Sequence, residues 1–353
     1  MDFFDNEYYG LTRNLMATIG LWPYQKPEHR IVRALCVSFI LVLAILLQIK
    51  KLFDQIQRDW NLIKDMNELK ILQKYAYKAK FYTVFSGLIV YPGTFAFLLI
   101  IFIPDILDKI MPLDEPRSRQ FPIHIEIFFD KERYFYYISI LFIIAAFLGM
   151  TVLMATEIMY MTFLQHACCL FELISHRLTY AFNTYLSRTT PLKTECKFCT
   201  KLFNAFITHQ HCLEFIEDLQ RGFSSSYFVL CVFGVASLSI NMFRLLNAIT
   251  IYNIIEAILI GLFVYAHFCY IFWMNYFGQD IIDHSECFFQ QIYNIRWYRV
   301  PLYAQKLLLI ALQRSAKSSR IIIGSLFVAS LEGFATLIKM STSYCMVMYS
   351  VRT

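Results

Sequence analysis

Apolar and polar positions alternate in blocks along the chain, and six blocks are apolar enough to be read as membrane helices: Ala34 to Ile49, Phe81 to Ile103, Tyr134 to Thr156, Tyr227 to Phe243, Ile254 to Met274 and Ile321 to Val351. A spanning helix needs roughly 17–25 residues, so the last five suffice and the first falls just short. The final block is not uniformly apolar. At 100° per residue Glu332, Thr336, Lys339, Ser343 and Ser350 fall on one narrow face, whereas Phe327, Phe334, Leu337, Ile338 and Cys345 lie away from it. Such a stripe either packs against other protein or lines water.

The blocks between carry helical periodicity too. Leu52, Ile56, Trp60, Ile63 and Met66 recur at three and four within the polar stretch Lys50 to Lys80, which predicts an amphipathic helix. Tyr8, Tyr9, Leu11, Leu15, Ile19 and Trp22 do the same in the first thirty residues. Residues 1–33 therefore read as a cytoplasmic or interfacial N-terminus. Residues 157–226 and 276–320 are long, amphipathic and free of Gly/Ser-rich linkers, as expected of helical extensions projecting into the cytosol. The fold class is thus an all-α polytopic transmembrane bundle in one membrane domain, with residues 321–351 as its last helix.

Composition agrees and narrows the function classes. The 353 residues are 58% hydrophobic and 17% aromatic, and the mean hydropathy is +0.49, more apolar surface than a soluble core accommodates. Asp2, Asp5 and Glu7 stand where a signal peptide would be basic. The net charge of +6 sits in polar loops and builds no nucleic-acid groove. The ten cysteines lie mostly in apolar spans or basic stretches and read as thiols. Cys196 and Cys199 with His209, His211 and Cys212 lack finger spacing, and no hydrolase, zincin or P-loop motif occurs, so neither a metal nor an enzymatic reading has a constellation. Asp280, Asp283, His284 and Glu286 cluster at one end of a span, where helix capping and solvation are the plain account.

Charge also orients the chain. The acidic, proline-bearing loop Pro104 to Arg133 suits the outside, and Arg314, Lys317 and Arg320 before the last block place the C-terminus outside as well. Six spans then put the N-terminus outside by parity. Lys26, Arg30 and Arg33 before the first block argue for the inside, and Lys50 and Lys51 after it balance them.

A set of motifs gives the chain a resemblance. They are HACCLF from His166 to Phe171 with Arg177 and Leu178, GQDIIDHS from Gly278 to Ser285, and IYNIRWY from Ile292 to Tyr298. Lys306 to Leu309, Gln313 to Ser315, SLEGF from Ser330 to Phe334 and STSY from Ser341 to Tyr344 continue the set, and LWPY at Leu21 and IQRDWNL at Ile56 extend it upstream. Together they resemble the insect odorant receptor family, of which gustatory receptors are the nearest alternative. A non-channel receptor or transporter is the rival class.

The resemblance implies seven helices with a cytoplasmic N-terminus, a hetero-tetramer with an odorant receptor co-receptor, and a cation pore lined by the last helix. It implies a gate at Val347, Ser350 and Val351, with Glu332, Thr336, Lys339 and Ser343 on the pore-helix polar face. It also implies a pocket for small volatile molecules in the outer half of the bundle, for which Phe85, Tyr91, Thr94, Tyr136, Tyr137, Ile140 and Phe263 are the candidates. Partners are then the co-receptor, volatile ligands and membrane lipid, with no nucleic acid and no cofactor. The expected place is the plasma membrane of olfactory neuron dendrites. One family helix lacks a counterpart before IQRDWNL, with the join near Gln48 to Lys51, which accounts for the parity conflict.

Overall fold

In a computed structural model the chain is almost wholly helical. The structure describes residues 27–111, 134–186, 192–252 and 254–352, with most side chains from Leu43 on. The expected interfacial segment 1–33 and the acidic loop lie largely outside the described residues. Among the described residues eight α-helices follow in order: α1 (Pro27–Leu62), α2 (Met66–Leu99), α3 (Ile103–Ile110), α4 (Phe135–Leu186), α5 (Leu192–Thr250), α6 (Ile254–Asn294), α7 (Leu302–Ser315) and α8 (Leu331–Arg352). One two-stranded antiparallel hairpin, β1 (Ile322–Ile323) and β2 (Phe327–Val328), precedes α8, with Ile322 opposite Val328 and Ile323 opposite Phe327.

Local chemistry sets these boundaries. Pro27 begins α1 where a missing N–H costs nothing. Asp65 caps α2 by accepting from the Asn67 N–H at 3.0 Å, and Glu68 follows in the first turn beside the helix N-terminus. Four helices, α2, α4, α5 and α6, contain stretches long and apolar enough to cross a membrane among the described residues.

The expected polar helix over Lys50 to Lys80 is two pieces. Lys50 to Leu62 continues α1 without a break, and the chain turns at Ile63 to Asp65 before α2. The apolar block from Ile321 to Val351 is not one helix either, because α8 starts only at Leu331. Gly324 and Ser325 adopt positive φ, 58° and 60°, the hand that matches a tight hairpin. Residues 157–226 are continuous with the apolar parts of α4 and α5 except around 187–191, outside the described residues.

The chain forms two compact units. Met1–Lys64, Phe203–Ile282 and Lys317–Thr353 make one; Asp65–Leu202 and Asp283–Ala316 make the other. In the second unit α2 packs along α4, and Leu98, Ile101 and Phe135 form a cluster with Phe142, Ile143 and Phe147 against it. From Phe163 to Ile174 α4 is buried nearly all round, with Phe171 tilted 6.2 Å from Phe288. The HACCLF segment is therefore core, which explains its apolar composition on every face. In the first unit Val235, Leu238, Ala248, Ile260, Val264, Ile271 and Leu337 join α5, α6 and α8 in one core.

Candidate functional site at the last helix

The N-terminus of α8 sits in a polar socket. Ser330 caps the helix: its Oγ accepts from the Gly333 N–H at 3.0 Å. From α6, Asn275 Oδ1 accepts from the Ser330 N–H at 3.2 Å and Gln279 Oε1 from the Leu331 N–H at 3.3 Å. From α5, Ser224 Oγ donates to the Ile322 carbonyl at 3.0 Å and accepts from the Gly324 N–H at 2.8 Å. Phe228 stacks on Phe327 beside that clamp. Donors and carbonyls that the hairpin and the helix start leave open are thus satisfied by side chains of two long helices. Glu332 in the first turn adds a favourable charge at the N-terminus.

Above the socket α8 has two contrasting faces. Leu337, Ser341 and Cys345 are 4%, 0% and 1% exposed, each four residues from the next, and Ser341 returns its hydroxyl to the Leu337 carbonyl at 2.9 Å. Phe334 adds an edge-to-face contact with Phe272 of α6, ring centroids 5.6 Å apart. Glu332, Thr336, Lys339, Ser343 and Ser350 stand exposed on the opposite face. Val347 and Val351 are 58% and 82% exposed beside that stripe. The helix therefore turns its small and apolar side inward and leaves its polar stripe exposed. At the far end Arg352 reaches over the Phe243 ring, and Arg244, Asn247, Ile251, Glu256 and Arg352 line a cavity of about 270 Å³.

The pocket candidates are not gathered into either cavity found around α8. Phe85, Tyr91, Tyr136, Tyr137, Ile140 and Phe263 are 38–75% exposed, and Thr94 returns its hydroxyl to the Val90 carbonyl at 2.8 Å. Tyr91 donates to Thr151 at 3.4 Å, and Tyr136 to Asp105 at 3.0 Å. Phe263 packs against His267, whose Nε2 meets Ser237 at 3.0 Å. Sequence reasoning missed the socket residues Ser224 and Asn275 and met Gln279 only as part of the GQDIIDHS motif. Their partners lie 50 to 100 residues away, where no local pattern registers them.

The second unit holds a polar network on the GQDIIDHS motif. The Tyr75 hydroxyl donates to Glu172 Oε2 at 2.6 Å and meets His284 Nε2 at 2.6 Å, so His284 is the donor in that second bond. Lys74 Nζ reaches both Glu172 oxygens at 2.8 and 2.9 Å. Burial, then the bond to the Glu172 carboxylate, pushes the Tyr75 phenol far up, and it stays protonated as the network requires. Burial pushes Glu172 upward too, but hydrogen bonds from Lys74 and Tyr75 outweigh it and hold the carboxylate below its ordinary value. A depressed carboxylate stabilises the fold above its unfolded pKa, and that contribution is lost as pH falls through the folded value. Tyr75→Phe leaves the His284 N–H and one carboxylate lobe without their partner. It is expected to cost about 1–3 kcal/mol and to shift the acid limb of a detergent-state melting curve towards neutral pH. Nearby Arg177 pairs Glu68 through two bonds of 2.8 and 2.7 Å, tying α4 to the start of α2.

Four long helices with stretches apolar enough to cross a membrane, and a capped last helix with an exposed polar stripe, define a polytopic α-helical membrane protein. The family model for the 7tm odorant receptors matches residues 32–342, and the chain belongs to that family. Among solved structures it is similar to the insect olfactory receptor OR5 from Machilis hrabei in complex with eugenol. The TM-score is 0.66 at 14% identity, over 97% of this chain and 87% of that one. A second structure of that receptor gives 0.63 at 15% identity over 97% and 86%. At these identities the likeness concerns the fold. None of the curated proteins matches the chain in sequence.

Proposed function

We propose that this chain is a tuning subunit of an odorant-gated, non-selective cation channel, assembled as a hetero-tetramer with a co-receptor around a pore lined by α8. The observation that carries the reading is the exposed stripe of Glu332, Thr336, Lys339 and Ser343 opposite the buried Leu337, Ser341 and Cys345. Charged groups facing acyl chains are costly, so this face is best matched to water or to another subunit. Val347 and Val351 at the distal end of the stripe suit a hydrophobic constriction that closes by dewetting, with Ser350 between them. Volatile ligands would be held by dispersion and few hydrogen bonds among the aromatic and hydroxyl side chains Phe85, Tyr91, Thr94, Tyr136, Tyr137, Ile140 and Phe263. The α4 and α5 segments within 157–226, with 276–320, would form the cytosolic contacts among subunits at the plasma membrane of sensory dendrites. No step of this reading requires enzymatic chemistry.

The test is whole-cell current from cells expressing this chain with the co-receptor, challenged with a broad volatile panel and compared with co-receptor alone. A new ligand-dependent cation current with reversal near 0 mV is expected. Responses indistinguishable from co-receptor alone, with the chain demonstrably at the surface, would remove the channel-subunit reading.

A further inference from the structure

We infer that the cavity at the α5–α6 turn is a binding site for the phosphodiester headgroup of a membrane phospholipid, held by Arg244 and Arg352. Its depth follows from the helices that carry it. The apolar parts of α5 and α6 are long enough to cross a bilayer, and only three residues separate the two helices. A connection that short leaves both helix ends at the interface, where headgroup phosphates lie. The turn is dressed for that level. Ile251, Tyr252 and Ile254 are 69%, 88% and 71% exposed, and aromatic side chains favour the interface. Tyr252 takes a φ of 59°, the left-handed conformation that lets the chain reverse within so few residues.

The charges in the cavity do not cancel. Glu256 stands in the first turn of α6, where the helix N-terminus already favours a carboxylate, and the Arg244 guanidinium lies 3.7 Å from it. That separation makes an ion pair but exceeds a hydrogen bond, so Arg244 keeps N–H donors for another acceptor. Arg352 brings a second guanidinium from the end of α8. It lies 6.0 Å from the Phe243 ring centroid, a contact of charge with ring that consumes no N–H group. Two guanidiniums against one carboxylate leave one positive charge, which one phosphodiester balances. Guanidinium forks pair with phosphate oxygens through two parallel bonds, and basic pockets between membrane helices are where headgroups seat.

The surroundings favour a phosphate that carries acyl chains over a free one. On α5 the face running from Arg244 into the bilayer is apolar and uncovered. Ile240, Phe233 and Val229 are 51%, 69% and 51% exposed, and at 100° per residue they fall within roughly 60° of Arg244. A headgroup in the cavity would thus place its chains along this track. The cavity of about 270 Å³ suits a small polar headgroup.

The test follows the thermal midpoint of the full chain, purified in maltoside detergent and depleted of lipid, as ligands are added. Dihexanoylphosphatidylglycerol is the probe. Dihexanoylglycerol carries the same tails without phosphate, and sodium phosphate at matched ionic strength carries the anion without tails. The phospholipid alone is expected to raise the midpoint, and to do so saturably, as a ligand of the folded state does. Arg352→Gln should move half-saturation about tenfold or more upward, the worth of a charge-assisted hydrogen bond. Arg352 stands exposed at the end of α8, so this variant leaves the core intact. Arg244→Gln is the second variant, expected to act in the same direction. Arg221→Gln, also exposed and about 34 Å further down α5, is the matched control and should titrate like the unaltered chain. Absence of a saturable rise in the unaltered chain, or unchanged half-saturation in Arg352→Gln, overturns the inference. An equal rise with sodium phosphate overturns the lipid source, and an equal rise with dihexanoylglycerol overturns the role of phosphate. The readout involves neither co-receptor nor current, so its outcome is separable from that of the channel measurement.

Discussion

Gly278→Ala is expected to abolish the folded receptor. The added Cβ would fall on the carbonyl oxygen of Ala329, with the carbonyl carbon 2.8 Å away, and both belong to backbone that cannot rotate aside. Relief requires moving the residues that lead into α8, and that breaks the bonds from Asn275 to Ser330 and from Gln279 to Leu331. Overpacking against side chains costs about 1–3 kcal/mol; here the clash is with main chain and capped N–H groups are lost as well, so the cost should exceed that range. The measurement is the yield and thermal midpoint of detergent-extracted protein by size-exclusion fluorescence. Gly149→Ala is the matched control, since nothing lies within 4 Å of a methyl group there and alanine is the better helix former. Equal behaviour of the two variants would show that the approach of α6 to Ala329 is not close.

The contrast between these glycines shows what a sequence withholds. Helix content was legible because apolar blocks separated by charged ones repeat along the chain, whereas the break before the Asp65 cap was read through, because apolar residues recur at three and four on both sides of it. The two faces of α8 were legible for the same reason: periodicity put Glu332, Thr336, Lys339 and Ser343 together, and the fold buries Leu337 and Cys345 opposite them. The hairpin before α8 was not. Ile321 to Val328 is an apolar run whose length suits helix or strand, and the decisive Gly324 and Ser325 act through backbone sign, which hydropathy does not register.

Long-range chemistry was harder still. Nothing local announces that Ser224 will clamp a hairpin some hundred residues later, or that Tyr75, Glu172 and His284 will meet. His284 read as part of an acidic cluster because its sequence neighbours are acidic, whereas it bonds to Tyr75 of α2. The pocket candidates rest on the family resemblance and on a mostly apolar and aromatic character that lipid-facing and ligand-facing side chains share, and their exposure in the single chain leaves that distinction to functional measurement.

Val351→Trp is expected to silence the odorant-evoked current while leaving the protein as stable as before. Val351 is 82% exposed and lies outside the buried Leu337, Ser341 and Cys345 line, so enlarging it removes no contact that holds α8 in place. Exposed substitutions of this kind change stability by about 0.5 kcal/mol or less. If α8 lines a pore, the indole fills the constriction formed with Val347 and its counterparts, and evoked current falls to the level of co-receptor alone at unchanged surface expression. Cys345→Trp supplies the opposite pattern, because that side chain is 1% exposed. Its enlargement should lower the thermal midpoint and the surface expression together. Retained current in Val351→Trp, with normal surface expression, would place this end of α8 away from the conduction path, and the exposed polar stripe would then have to be covered by protein instead.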